Sequence, residues 1–213
     1  LLEQRDQFER AHELLQGALG MQQDLAGSEA LESAPTLLSL ARLAQRRGNL
    51  DSAEEFYERT LDIYRKHGQQ NTSAMASALS EFAGLYSYRT RYADAAKLYR
   101  TALDVDRQAL GRDHPDVAMH THNLAVALHL QGELAQAQPL YADSVELLRR
   151  IYGDGHPHTL DALSNFGRFL HRRGGDARPG ERRPAAGTPG RRTPTDHVDW
   201  FAGWAGPPVR GVL

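Results

Sequence analysis

Hydrophobic positions recur at helical spacing along this chain, and the pattern itself repeats. After Gly48, a large apolar residue, Ala and Tyr follow at the second, fifth and ninth positions, as Leu50, Ala53 and Tyr57. The same set returns twice more at a spacing of 42 residues. These spacings place the set on one face of an α-helix. A repeated helix pattern of this kind predicts an all-α solenoid in which each repeat stacks on the next.

Each repeat is predicted to form a pair of antiparallel helices joined by a tight turn. The small Ala lets two helices approach closely, and the Tyr fills the space beside it. Gly48 and Gly132 suit the left-handed residue that ends many helices, whereas Thr90 at the equivalent position is a poorer stop. The frame also fits Phe8 and Leu19, so the chain opens inside a repeat. Helices are predicted near residues 7–24, 34–47, 50–67, 72–89, 92–110, 114–131, 134–152 and 156–173.

Two segments carry a more specific signature, NLAVALHLQGELAQAQPLY at 123–141 and LGRDHPDVA at 110–118. They resemble the tetratricopeptide repeat family, and more closely the 42-residue repeats of kinesin light chains and their bacterial relatives. The resemblance covers roughly residues 1–174 and implies a right-handed superhelical solenoid of antiparallel helix pairs. The chain departs from the family pattern at Thr90, which replaces the turn glycine, and after Gly174, where the fourth repeat stops.

The register divides the chain into a repeat array and a tail. Residues 175–213 are rich in Pro, Gly and Arg and lose helical periodicity, which predicts a disordered tail. Within it, DWFAGWAG is either a docking motif or part of a non-native segment left by a change of reading frame. Without a following helix, the last predicted helix is expected to expose an apolar face around Leu163, Phe166 and Leu170. The array consists of a partial repeat at 1–33, repeats at 34–71, 72–113 and 114–155, and a half repeat at 156–174.

Composition narrows the range of functions. The formal net charge of −2 gives no basic field, which argues against nucleic acid as a partner. No cysteine occurs, which excludes disulfides, thiolate zinc sites and cysteine nucleophiles. No apolar run approaches the roughly 20 residues that span a bilayer, so no membrane partner is expected. Together with an N-terminal sequence that lacks a signal-like pattern, these features favour a cytoplasmic protein.

The histidines are the main candidates for chemistry, because seven of the ten lie between residues 114 and 171. His122 and His129 share a helix face and suggest a zinc site. A zinc ion in a protein needs three or four ligands, however, and no cysteine is present to complete a set. The stretch HELLQ at 12–16 begins like a metalloprotease helix but lacks the second His. No catalytic residue, metal or cofactor is therefore predicted.

The His-Pro pairs at 114–115 and 156–157 recur at the repeat spacing and fall between one helix pair and the next. Pro suits the first turn of a helix, where its missing N–H costs nothing. We therefore interpret both pairs as helix starts. The stretch NTS matches a glycosylation signal, but Asn71 or Thr72 is expected instead to cap the helix that follows.

The family resemblance also implies a ligand site, on the first helix of each pair, which lines the hollow of the superhelix. Asn123 and Asn165 occupy equivalent positions there, and asparagines at this position are implied to hold the backbone of an extended peptide. Arg168 and Arg172 would pair with carboxylates of an acidic ligand. A plain polar surface is the alternative interpretation. The predicted groove residues are Arg42, Arg46, Ser80, Glu81, His122, Asn123, Val126, His129, Asn165, Arg168 and Arg172.

The sequence thus predicts a non-catalytic protein interaction module or scaffold that binds a peptide or partner segment in this groove. His122, His129 and His171 would add positive charge below about pH 6.5. The alternative is a helical sensor or arm of a larger, nucleotide-dependent signalling regulator whose other domains are absent. In that case the repeats would pack against those domains, and a phosphate-binding loop would precede them in the gene. The sequence leaves the oligomeric state open.

Overall fold

The computed structural model describes the backbone of residues 2–176 and the side chains of residues 6–173. This part of the chain contains helices and turns and no strand. A short 3-10 turn at Leu31–Ser33 precedes the second helix. The α-helices are α1 (Leu2–Ala26), α2 (Ala34–Arg46), α3 (Leu50–Lys66), α4 (Ser73–Tyr88), α5 (Tyr92–Leu110), α6 (Pro115–Gln131), α7 (Leu134–Tyr152) and α8 (Pro157–Asp176).

The helices form antiparallel pairs, α2 with α3, α4 with α5 and α6 with α7, and each pair packs on the next. We call α2, α4, α6 and α8 the first helices and α1, α3, α5 and α7 the second helices. Every second helix also contacts the first helix that follows it, so that α1 packs on α2 as α7 packs on α8. This arrangement confirms the predicted all-α solenoid.

Helices α2 to α7 begin and end within one residue of their predicted bounds, whereas the two outer helices are longer than predicted. Helix α1 begins at Leu2, and α8 continues through Gly174 to Asp176. Gly132 ends α6 with a φ of 96° because the chain turns there into α7, but no packed helix follows α8 among the described residues. The predicted disordered tail began at residue 175, but residues 175 and 176 belong to α8, so that boundary was wrong. The rest of the predicted tail, with its DWFAGWAG motif, lies outside the described residues.

The core follows the repeat. Small residues at two equivalent positions allow the helices of a pair to approach closely, and a tyrosine fills the space beside them. Phe82 stacks on Tyr57 with ring centroids 5.4 Å apart, and Phe166 stacks on Tyr141 at 5.8 Å. At these repeat positions the fully buried alanines are Ala41, Ala83 and Ala125 on first helices and Ala53, Ala95 and Ala137 on second helices, and the tyrosines beside them are Tyr57, Tyr99 and Tyr141.

The apolar face expected on the last helix is only partly exposed. Phe166 is half-buried because it stacks on Tyr141 of α7, and Leu163 packs against the cluster formed by Val145 and Leu148. Leu170 is exposed, as predicted. The prediction was therefore wrong for Phe166, since one helix of the preceding pair is enough to cover that part of α8.

Polar side chains cap the N-termini of α3 and α4. The Thr72 hydroxyl accepts a hydrogen bond from the backbone nitrogen of Met75 at 3.3 Å, so Thr72 rather than Asn71 caps α4. Asn49 caps α3 in the same way through the backbone nitrogen of Ser52. These caps supply acceptors for N–H groups that have no partner inside the helix.

Candidate functional site

The two His-Pro pairs are part of the helix architecture. The Nδ1 atom of His114 accepts a hydrogen bond from the backbone nitrogen of Asp116 at 3.2 Å, and α6 begins at the Pro between them. His156 Nδ1 accepts one from the backbone nitrogen of His158 at 3.3 Å at the start of α8. The interpretation of these pairs as helix starts is confirmed. Within residues 6–173, no three His, Asp or Glu side chains come together in a way that could hold a metal ion.

The predicted groove residues lie on the four first helices but differ in their access to solvent. Arg42 and Arg46 on α2 and Arg168 and Arg172 on α8 are exposed. The remaining polar residues of the set are half-buried, except for His122. They are Ser80 and Glu81 on α4, Asn123 and His129 on α6, and Asn165 on α8.

His122 and Val126 are buried, so the prediction that they line a ligand surface is wrong. His122 is only 2% exposed, because Asn165 of α8 lies over it on one side and the ring of Tyr141 packs against it at 5.6 Å. Val126 belongs to the same apolar cluster as Tyr141 and Phe169. Both residues therefore stabilise the packing of α6 against its neighbours.

Burial also changes the protonation of His122. Desolvation of the imidazolium lowers the pKa of His122 to about 4. The expectation that His122 gains charge below about pH 6.5 is thus wrong, since the ring stays neutral well below that pH. In its neutral form the Nε2 atom accepts a hydrogen bond from the amide nitrogen of Asn165 at 2.9 Å.

Arg42 and Glu81 form an ion pair that joins α2 to α4. The Arg42 Nε atom donates to Glu81 Oε2 at 2.6 Å, and the terminal Nη2 donates to Oε1, which makes the contact bidentate. This hydrogen bonding to Glu81 raises the pKa of Arg42. Because the two charges compensate each other, the pair adds no net charge at this end of the surface, where Arg46 on α2 is a further exposed cation.

On α8, Asn165 is held by two neighbours. Its amide nitrogen donates to His122 on α6, and its amide oxygen accepts a hydrogen bond from Arg168 one helical turn later. Arg168 and Arg172 both lie near Tyr141, and their positive charges partly offset the rise that burial causes in the pKa of its hydroxyl. Asn165 therefore has a fixed orientation at the basic end of the surface.

A polar link between the helices of a pair recurs at equivalent positions and was missed in the sequence. The Tyr57 hydroxyl donates to Gln45 Oε1 at 3.3 Å, and the Tyr141 hydroxyl lies 3.2 Å from His129 Nδ1. Ser87 stands at the same repeat position beside Tyr99. Positions 45, 87 and 129 are spaced by one 42-residue repeat each, so the repeat register could have revealed this contact. The contact with Tyr141 gives His129 a structural role in addition to its place on the predicted groove surface.

The Asn123 side chain differs from Asn165. It is half-buried on α6 at the equivalent repeat position, and its carboxamide makes no hydrogen bond with any other residue of the described range. An amide group provides two donor hydrogens and two acceptor lone pairs. Asn123 therefore keeps its full capacity to bind another molecule.

One cleft of about 360 Å³ lies between α5, α6 and α7, and it contains none of the predicted groove residues. Its rim includes an ion pair between Arg150 and Asp113. Three basic and three acidic side chains line it, so it presents no excess of either charge. The lining residues are Arg107, Arg112, Asp113, Val117, Thr121, Asp143, Glu146, Leu147 and Arg150.

Comparison with known proteins supports the fold. Residues 1–66, 74–149 and 116–178 match the family model of the tetratricopeptide repeat. No curated protein sequence matches the chain. Helices long and apolar enough to cross a membrane do not occur among residues 2–176.

Several solved structures are similar to this chain. A candidate kinesin light chain from Podosopora anserina with nearly identical TPR-like repeats has a TM-score of 0.69 and 23% identity, and the match covers 81% of this chain and 82% of that one. BtubC (BKLC) from P. vanneervenii has a TM-score of 0.67 and 20% identity, with 89% and 83% covered. The Sgt2 TPR domain from Aspergillus fumigatus has a TM-score of 0.51 and 20% identity, with 72% and 90% covered.

Tetratricopeptide repeats are typical protein–protein interaction modules and are generally non-catalytic. The spacing of the buried alanines and tyrosines, the paired helices and the family model agree with one another. The chain belongs to the tetratricopeptide repeat family.

Proposed function

We propose that this chain binds an extended peptide segment of a partner protein in a groove lined by the first helices, without catalysing a reaction. The observation that carries the proposal is the pair Asn123 and Asn165, which stand one repeat apart on successive first helices. A carboxamide can bond to both the N–H and the C=O of a peptide backbone, so two in succession can hold an extended strand without reading its sequence.

The hydrogen bonds of Asn165 support this role. It uses one donor hydrogen on His122 and one acceptor lone pair on Arg168, so one of each remains for a ligand. A side chain that is already oriented loses less conformational freedom on binding than a mobile one. Asn165 would therefore set the register of the peptide, and Asn123 would adjust to it.

Charge along the groove is unevenly distributed. Arg42 is compensated by Glu81, which leaves Arg46 as the further cation near α2 and α4, whereas Arg168 and Arg172 both lie on the exposed side of α8. We therefore propose that carboxylates of the ligand bind mainly beside α8 and that the part near α2 and α4 selects less strongly for charge. The absence of cysteine is compatible with a reducing compartment, and we place this activity in the cytoplasm.

The test of backbone binding begins with peptides selected from a displayed random library, with affinities measured by fluorescence polarisation. Asn123→Ala should lower the affinity for all selected peptides by a similar factor of about 3 to 10, which corresponds to the loss of one or two neutral hydrogen bonds. Gln108→Ala is the matched control, because it removes an exposed carboxamide from the second helix α5. If Asn123→Ala has no effect while changes on second helices abolish binding, the ligand uses a different surface.

The charge assignment is tested separately with the same peptides. Arg168→Glu should lower the affinity for acidic peptides by about tenfold or more and lower the affinity for neutral peptides less. Raising the salt concentration should reduce the difference between the two classes of peptide. Arg100→Glu on α5 makes the same charge change away from the groove and should have little effect. Equal losses for acidic and neutral peptides would contradict the assignment.

A further inference from the structure

The cleft of about 360 Å³ between α5, α6 and α7 has a floor made of small side chains. Val117 and Thr121 of α6 form this floor, and both are buried. One repeat earlier the same positions hold Met75 and Leu79, which are also buried. Valine and threonine are shorter than methionine and leucine, so the space that the longer side chains would fill stays open. The volume lies at the lower end of the roughly 300–1,000 Å³ range of small-molecule sites.

The floor of the cleft favours apolar contact. The Thr121 hydroxyl donates its hydrogen to the backbone carbonyl of Val117 at 2.7 Å, so that hydrogen is used within α6. Leu147 of α7 adds a half-buried aliphatic side chain to the lining. The part of a ligand that rests on the floor is therefore expected to be a hydrocarbon chain.

Opposite charges stand on opposite sides of the cleft. Arg107 at the end of α5 and Arg112 in the following turn line one side, and Asp143 and Glu146 of α7 line the other. Helices α5 and α7 each pack on α6, so the cleft keeps the two sides apart. Within residues 6–173 these four exposed side chains form no ion pair, with each other or with any other residue.

The two other charged side chains of the lining neutralise each other. Arg150 of α7 donates to Asp113 in the turn between α5 and α6. The cleft thus offers a ligand two positive groups on one side and two negative groups on the other. A ligand with only a carboxylate would also meet the acidic side, and a ligand with only an ammonium would also meet the basic side. A ligand that carries both groups can satisfy both sides at once.

We propose that this cleft binds a small zwitterion whose ammonium and carboxylate are separated by a short chain, as in an ω-amino acid or a dipeptide. The carboxylate binds Arg107 and Arg112, the ammonium binds Asp143 and Glu146, and the chain lies on the floor. The site is built mainly from second helices and shares no residue with the predicted groove. It does not depend on the proposed peptide binding.

The test follows the backbone amide NMR signals of the full chain while 6-aminohexanoate is added up to about 50 mM. We expect saturable shifts in the signals of residues 107–121 and 143–150, with a dissociation constant of about 1 mM for a ligand of this size. Hexanoate and hexylamine keep the chain but have only one charge each, so they should bind about tenfold or more weakly. Leucine, whose two charged groups share one carbon, cannot reach both sides and should bind as weakly as they do.

Glycylleucine distinguishes the two sources of this chemistry, because its charges have nearly the same separation but a peptide group lies between them. Tighter binding of glycylleucine than of 6-aminohexanoate assigns dipeptides as the ligands, and the reverse order assigns ω-amino acids. Either order supports the zwitterion site, provided that both ligands bind more tightly than leucine.

The floor is tested by restoring the side chains of the preceding repeat. Val117→Met together with Thr121→Leu fills the space and leaves every charge in place, and buried Met75 and Leu79 show that this helix contact accepts both side chains. The double variant should lose the binding of 6-aminohexanoate, while circular dichroism shows unchanged helix content. Binding that persists in this variant would locate the ligand elsewhere and overturn the proposal.

The two charged sides are tested one at a time. Glu146→Gln should weaken 6-aminohexanoate by about threefold or more without weakening hexanoate, and Arg107→Gln should weaken it similarly without weakening hexylamine. A purely structural effect would lower the affinity for all these ligands alike. Asp104→Asn removes the exposed carboxylate at the repeat position of Glu146 on α5 and should bind like the wild type. The proposal is wrong if no saturable shifts occur, or if hexanoate, hexylamine or leucine binds as tightly as 6-aminohexanoate.

Discussion

Thr90 holds a backbone conformation that a β-branched residue rarely adopts. Its φ of 59° is the only positive value outside glycine among the described residues, and it occurs at the turn where the neighbouring repeats have Gly48 and Gly132. The Cβ atom of an L-residue crowds the carbonyl in this region, at a cost of about 1–2 kcal/mol. The two packed helices on either side impose the turn despite that cost.

Thr90→Gly should therefore stabilise the protein. Removal of the strain is offset in part by the greater freedom of glycine in the unfolded chain, so the expected gain in unfolding free energy is about 0.5–1 kcal/mol. Urea unfolding measures it. Gly132→Ala is the reverse control at a φ of 96°, and because no atom lies near its Cβ position, any loss of stability comes from the backbone alone. Equal stability of wild type and Thr90→Gly would contradict the assigned strain.

His122 should make the stability depend on pH. Its pKa is about 4 in the folded protein and about 6.5 in an unfolded chain, so between these values the unfolded state binds a proton that the folded state does not. Stability is then lost as the pH falls from 6.5 towards 4. Between pH 7.5 and pH 5 the loss from this residue is about 2 kcal/mol.

The measurement compares urea unfolding of wild type and His122→Leu at both pH values. Leucine is compatible with this site in the repeat, since Leu38 occupies the equivalent buried position on α2. The difference in stability between the two proteins should move by about 2 kcal/mol in favour of the variant at pH 5. A difference that is constant with pH would mean that His122 is solvated in solution.

The sequence predicted on which helix face each candidate residue lies, but not how deeply its side chain is buried. Helical periodicity gives the direction in which a residue points from its own helix axis, and it placed Asn123 and Asn165 on one face. It does not reveal what a neighbouring repeat places in front of that face. His122 is buried because Asn165, 43 residues later in the chain, lies over it, and Arg42 is compensated by Glu81, 39 residues later. Both contacts depend on how the repeats stack.

At the scale of the helix, the interface between α5 and α6 contains a buried polar pair. The Asp106 carboxylate is fully buried, and its Oδ2 atom lies 3.1 Å from His120 Nδ1. The next repeat has Leu148 and Ala162 at these positions, both fully buried. The same helix contact can therefore be made with apolar side chains, and the pair is a special feature of the central repeat.

Replacing only His120 should destabilise the protein much more than replacing both Asp106 and His120. His120→Ala leaves a buried carboxylate without its neighbour and should cost about 3–5 kcal/mol, whereas the double variant Asp106→Leu with His120→Ala should be neutral or more stable than wild type. Thermal or urea unfolding of the single and double variants measures the coupling. If the effects of the single variants simply add, the two groups do not interact and the pair has no special role.

The helix bounds could be predicted because their signals are local. A glycine at the turn, a capping side chain and Pro at the first position act within a few residues, and they placed the ends of six helices within one residue. The end of α8 was missed because the helix continues through Gly174 to Asp176, so a glycine at the turn position did not end the helix there. The burial of Phe166 was missed because one neighbouring helix was enough to cover it.

Across the whole molecule, stability should follow the number of neighbours that each helix has. In a solenoid each repeat contacts only the adjacent ones, so local opening is governed by nearest-neighbour contacts. Helices α4, α5 and α6 each pack between two others, whereas among the described residues α1 and α8 lack a helix on one side. The two ends are therefore expected to open more readily than the centre.

Hydrogen exchange measured by mass spectrometry tests this gradient. Amides of α1 and α8 should exchange at least about tenfold faster than those of α5 in dilute protein, since an outer helix can open without breaking the interfaces of the central repeats. Uniform protection along the dilute chain would show that the helices unfold as one cooperative unit, and the nearest-neighbour account of this solenoid would then be wrong.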